Sequence, residues 1–256
     1  MDKEKIVDQL LLYLEQEDKR YQPYIPSHYE EKRKLLRSLV NLRPPEPIDE
    51  HILKLEDELL QLELKEKKIT DVRDVPFCEE PISIWLGDIT TFSIDAIVNA
   101  GNSSLLGCFI PGHHCIDNAI HTYAGMRLRL ACNELMQGRE EGVGNAKITK
   151  AYNLPSQYVI HTVGPMITGE VTEEDIDDLK KCYRSSLELA SQNGIRSIAF
   201  PTISTGVFHF PKELASKIAV SMVREYIASH PGQFDHIVFN VFTKEDQSYY
   251  DRLFKN

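Results

Sequence analysis

The chain has 256 residues, with 29 Lys and Arg against 39 Asp and Glu, a formal net charge of -10 and a hydrophobic fraction of 42%. These values suit a folded globular chain and exclude a disordered one. They argue against binding DNA through bulk charge, and no apolar run reaches the roughly 18 residues that a membrane span needs.

Charge is about twice as dense in residues 1–75 as in the remainder. The charged N-terminus has no apolar h-region, so a cytoplasmic protein is expected, and five cysteines then favour free thiols or a metal site over disulfides. Ile6, Leu10, Tyr13 and Leu14 share one helical face, and Ile52, Leu55, Leu59 and Leu62 form a second stripe. Between them, Ser27-His28-Tyr29-Glu30 has the form of a capping box opening a helix that carries Leu35, Leu36, Leu39 and Val40. Pro44-Pro45-Glu46-Pro47 ends that helix. Residues 1–75 thus read as a helical extension, either a small bundle or a cap lying on the domain after it. It contains no motif that carries chemistry.

From about Pro81 short β-rich runs alternate with helical ones. Strands are predicted at 82–86, 96–98, 147–151, 158–162, 197–200 and 236–241, and helices at 116–136, 175–192 and 211–228. The alternation predicts an α/β layer fold with a mixed sheet, whose ligands sit at the carboxyl ends of the strands.

Four loops hold the informative residues. Gly87-Asp88-Ile89-Thr90 reads either as a turn capped by Asp88 or as an acceptor for an exocyclic amine. Asn99 and Asn102 end an apolar strand, where they brace a loop or bind polar ligand groups. Gly107 to Cys115 places two Cys and two His within eight residues. Cys108, His113 and Cys115 form a three-ligand set suited to zinc with an open fourth position; the alternative is small buried thiols and hydrogen-bonding imidazoles. Cys78, Cys132 and Cys182 have no ligand-like sequence neighbours. Finally, Ser204-Thr205-Gly206-Val207 is a candidate phosphate cradle of backbone amides, with Phe208 or Phe210 beside it. Neither a P-loop nor G-x-G-x-x-G occurs, which excludes the usual nucleotide-hydrolysing and dinucleotide folds.

Taken in order, Gly87–Thr90, Asp95–Asn102, Asp117–His121, His161–Pro165 and Ile203–Phe208 resemble the segments of a macrodomain, an ADP-ribose-binding fold of three α/β/α layers. The resemblance covers about residues 80–256 and places the macrodomain at residues 76–256. Where hydrolytic macrodomains have a glycine-rich run, this chain has the Cys- and His-bearing loop, similar to the zinc-dependent macrodomains associated with class M sirtuins. The resemblance implies a Zn2+-dependent hydrolase that removes ADP-ribose from a mono-ADP-ribosylated protein. One such partner would be a lipoyl-carrier protein resembling the glycine cleavage H protein. Asp88 and Ile89 would bind the adenine side, Ser204 to Val207 the diphosphate, and Asn102 and Phe208 the distal ribose. Asp117 with Asn102 would be catalytic, the ligands being Cys108, His113 and Cys115, with His114 pointing outward. The competing class is an ADP-ribose reader that binds without hydrolysis. No DNA and no membrane enter either reading.

Overall fold

A computed structural model describes residues 2–17 and 24–255. Three helices lead, α1 (Lys3–Glu17), α2 (Tyr29–Leu42) and α3 (Glu50–Lys65). Their apolar stripes close on one another, burying Ile6, Leu10, Leu36, Ile52 and Leu59 in a cluster that also takes in Met126. The predicted capping box does not form: His28 is the N-cap of α2 and makes no side-chain cap bond. Asp49 caps α3 instead, accepting from the His51 amide.

A seven-stranded sheet comes next, from β1 (Phe77–Glu79), β2 (Ile82–Leu86), β3 (Ala96–Gly101), β4 (Ala146–Lys150), β5 (Tyr158–Val163), β6 (Ser197–Phe200) and β7 (His236–Val241). Its order is β1-β2-β7-β6-β3-β5-β4. The five inner strands are parallel, and each edge strand is antiparallel to its neighbour. The period-2 alternation of strand side chains divides the core. Ile97, Val159, Ala199 and Val238 face α4 (Ile116–Ala124) and α5 (Met126–Met136). Val98, Ile160, Ile198, Phe200 and Phe239 face α6 (Glu173–Gln192), α7 (Lys212–Ser229) and α8 (Lys244–Phe254). The three α/β/α layers and the mixed sheet are those expected.

Four features differ from the sequence expectation. The single helix predicted over 116–136 is two helices meeting at Gly125, whose φ of +92 is open to glycine and costly for other residues. Strand β3 runs three residues beyond Val98, because Asn99, Ala100 and Gly101 pair in register with His161, Thr162 and Val163. Edge strand β1 and helix α8 were not anticipated; α8 is largely polar and buries Asp246 and Tyr250. No described helix is long and apolar enough to cross a membrane.

Candidate active site

The parallel strands deliver the informative loops to one end of the sheet. At the end of β3, buried Asn99 donates through Nδ2 to Asp117 Oδ1 at 2.8 Å and lies 3.2 Å from His161 Nδ1. Asn102 is turned into its own loop, donating to the Gly107 carbonyl at 3.1 Å and accepting from Ser104 Oγ at 2.6 Å.

Asp117 is in the first turn of α4, where the helix dipole favours a carboxylate. Burial nevertheless raises its pKa to about 6, against the pull of Asn99 and the Arg129 charge. His121, one turn on, has Nε2 3.6 Å from Asp117 Oδ1. That is no ion pair, because burial holds the imidazole well below its ordinary pKa and it stays neutral. Its ring lies directly under the preceding loop: a Cβ on Gly107 would come within 2.7 Å of it. Cys132 is not isolated as its sequence neighbours suggested; it lies 3.8 Å from His161 Nε2 and close to His121.

Cys108, His113 and Cys115 are brought together, with their ligand atoms all within 4.8 Å of one another. Cys115 is the N-cap of α4, its Sγ accepting from the Asn118 amide at 3.4 Å. Burial, reinforced by the neighbouring Cys108, pushes its thiol up to about 12. Cys108 Sγ is 3.5 Å from His113 Nδ1. Zinc bonds of about 2.3 Å to sulfur and 2.0 Å to nitrogen, opened to a tetrahedral angle, place the two donors about 3.5 Å apart. The spacing and donor types therefore fit zinc. His114 is exposed and outside the group.

After β6, Ser204 takes a left-handed φ of +63 and opens a tight loop closed by the Phe210 amide on the Ser204 carbonyl at 3.0 Å. Among the described residues the amides of Ser204, Gly206 and Val207 donate to no protein acceptor, which leaves a nest of N–H groups for an anion. The loop after β5 is tied to it, Ile167 donating to the Phe208 carbonyl at 2.9 Å. Asp88 behaves as a turn cap, Oδ1 accepting from the Thr90 amide and hydroxyl at 2.9 and 2.7 Å. Its Oδ2 accepts from no described residue. Ile89 is buried in the core under this loop, so only its main chain can meet a ligand.

The residues from 98 to 219 match the family model described as Macro domain. A protein-ADP-ribose hydrolase of Treponema medium is 45% identical over 255 residues, covering 95% of this chain and 96% of that relative. The chain belongs to the macrodomain family. A protein-ADP-ribose hydrolase of Staphylococcus aureus is 47% identical over 234 residues, covering 90% of this macrodomain chain and 87% of the relative. Among solved structures, a Trypanosoma brucei macrodomain in complex with ADP-ribose superposes with a TM-score of 0.68 at 29% identity, over 85% of this chain and 95% of that one.

Several residues that shape this macrodomain site have no mark in the sequence. Arg129 on α5 is buried, donating to the Leu106 carbonyl and to three carbonyls of residues 40–43, with its guanidinium 4.4 Å from the Phe109 ring. Arg37 and Asn41 on α2 reach the metal-type loop from a stretch in which no motif pointed to chemistry. Their partners lie more than seventy residues away in sequence, and no local pattern marks them.

Proposed function

We propose that this chain is a zinc-dependent hydrolase that removes ADP-ribose from a mono-ADP-ribosylated protein. The observation that carries it is the Cys108–His113–Cys115 group two residues before buried Asp117, in a chain nearly half identical to relatives named protein-ADP-ribose hydrolase. On this reading residues 76–256 form the ADP-ribose-binding unit and residues 1–75 its helical extension.

The free amides of Ser204, Gly206 and Val207 hold the diphosphate. Amides accomplish this without lysines, which reconciles the ligand with a net charge of -10. Asp88 Oδ2 accepts from the adenine amine and the Ile89 main chain borders it. Phe208 and Asn102 hold the distal ribose, Asn102 through the hydrogen-bonding capacity left by its bonds to Gly107 and Ser104. Asp117 carries negative charge beside the anomeric carbon, where positive charge develops as the glycosidic bond breaks, and it orients the attacking water. Asn99 fixes the Asp117 rotamer through its 2.8 Å bond. Cys108, His113 and Cys115 would hold the zinc, which supplies a Lewis acid with one position open to an oxygen ligand.

The decisive measurement is turnover of a mono-ADP-ribosylated protein by the native, chelated, Cys108→Ala and Cys115→Ala forms. Loss of turnover by about 100-fold or more in the last three, with ADP-ribose binding retained, is the expected result. Native rates in all three would remove zinc from the mechanism.

A further inference from the structure

We infer that helix α2 of the N-terminal extension is the brace that shapes the metal loop, with Arg37 and Asn41 as positioning residues for the ligands. The inference rests on the zinc reading of that loop.

Arg37 and Asn41 are four residues apart and share one face of α2. That face lies against α4 and the loop leading into it. The loop turns at Ile110-Pro111-Gly112-His113, closed by the His113 amide on the Ile110 carbonyl at 3.2 Å. Proline at the second position and a left-handed glycine at the third, φ +63, are what a type II turn requires. Such a turn leaves the glycine amide without an internal partner. Asn41 Oδ1 accepts from it at 3.0 Å, and Arg37 donates to the His113 carbonyl at 3.2 Å. The extension thus grips the main chain of a ligand residue and of the residue before it.

The grip continues through Asn118, which is fully buried. Its Oδ1 accepts from Arg37 at 2.8 Å, while its Nδ2 reaches Asn41 Oδ1 at 3.2 Å and the Ile110 carbonyl at 3.0 Å. Its amide meets Cys115 Sγ. Asn41 in turn donates to Thr122 Oγ1 on α4 at 3.2 Å. Two of the three ligands, His113 and Cys115, are therefore placed by a network anchored on α2. The loop is exposed at Phe109 to Pro111 and spans only eight residues between its first and last ligand. Without those bonds little would hold the three donors at ligand spacing before metal arrives, and ordering them would cost affinity.

The test is the zinc dissociation constant of the full-length protein, measured by chelator competition. Arg37→Met keeps the aliphatic stem and loses the donors; Asn41→Ala loses all three side-chain bonds, to Gly112, Asn118 and Thr122. Each should bind zinc about 10- to 100-fold more weakly, the range for lost outer-shell support. Asn41→Asp keeps the Oδ1 acceptor and should bind within a few-fold of the native protein. Arg33→Ala breaks only the α2–α3 pair with Glu63, so it loosens the extension without changing zinc affinity. Circular dichroism checks folding of every variant. Native zinc affinity in both Arg37→Met and Asn41→Ala overturns the brace while leaving the metal reading standing. Equal weakening in Arg33→Ala overturns it too, by showing a general loss of stability. A native protein that binds no zinc overturns both.

Discussion

Gly164 shows how closely the residues of this site are fitted. A Cβ built there would lie 2.0 Å from Ser204 Oγ, the hydroxyl under the amide nest. Gly164→Ala should therefore push the Ser204 loop out of shape, an overpacking penalty of about 1–3 kcal/mol, and weaken ADP-ribose about 5- to 150-fold in a calorimetric titration. Unchanged affinity would show that the loop yields without cost. Gly164 and Ser204 stand in segments that the sequence singled out, yet their contact links the ends of β5 and β6, which flank β3, and has no local signature. Asp88 was legible in part, since its cap role follows from the turn chemistry of Asp-Ile-Thr. Cys108, His113 and Cys115 were readable as a group because ligand chemistry is concentrated in so few residues.

Between elements, the contact of α3 with the α4–α5 corner makes a pH-dependent joint. Glu56 on α3 is fully buried, and its Oε2 accepts from the Met126 amide at 2.6 Å, capping the start of α5. Burial raises its pKa to about 7, whereas in the unfolded chain it titrates near 4.5. The folded state then binds the proton more tightly, so this group favours folding most in acid and its contribution falls as pH rises from 4.5 to 7. Over that window Glu56→Gln should lose this slope, amounting to a difference on the order of 3 kcal/mol from the native protein in urea titrations. Parallel pH profiles for the two proteins would rule the joint out. The same corner explains why one helix was expected where two exist. The run breaks at the left-handed φ of Gly125, and Glu56, Leu60 and Asn153, none of them near it in sequence, crowd the space that a Cβ there would need. Strands β2, β6 and β7, by contrast, match their predicted limits, since short apolar runs mark them directly.

At the scale of the molecule, three apolar clusters among the described residues meet through shared elements. Helices α4 and α5 pack on the sheet with one face and on the extension with the other, Met126 and Leu130 belonging to the extension's cluster. Arg127 adds ion pairs to Glu50 and Asp57 on α3. The extension and the sheet should consequently unfold together, in a single thermal transition seen alike by helical ellipticity and by fluorescence of Trp85 at the end of β2. Zinc at 100 times its dissociation constant should stabilise that transition by about 2.7 kcal/mol. Two separated transitions would mean that the helices form an independent unit. From sequence, the face of the extension against α5 was hidden inside a stripe that looked merely amphipathic.

The turn at Pro111-Gly112 is closed from outside by an asparagine in α2, well before the stretch that matches the family model at residue 98. On the zinc reading, cutting and pasting the cysteine–histidine loop into another member of the family would transfer the ligands without their template. If α2 is the brace inferred above, a transplant has to carry the leading helices with it.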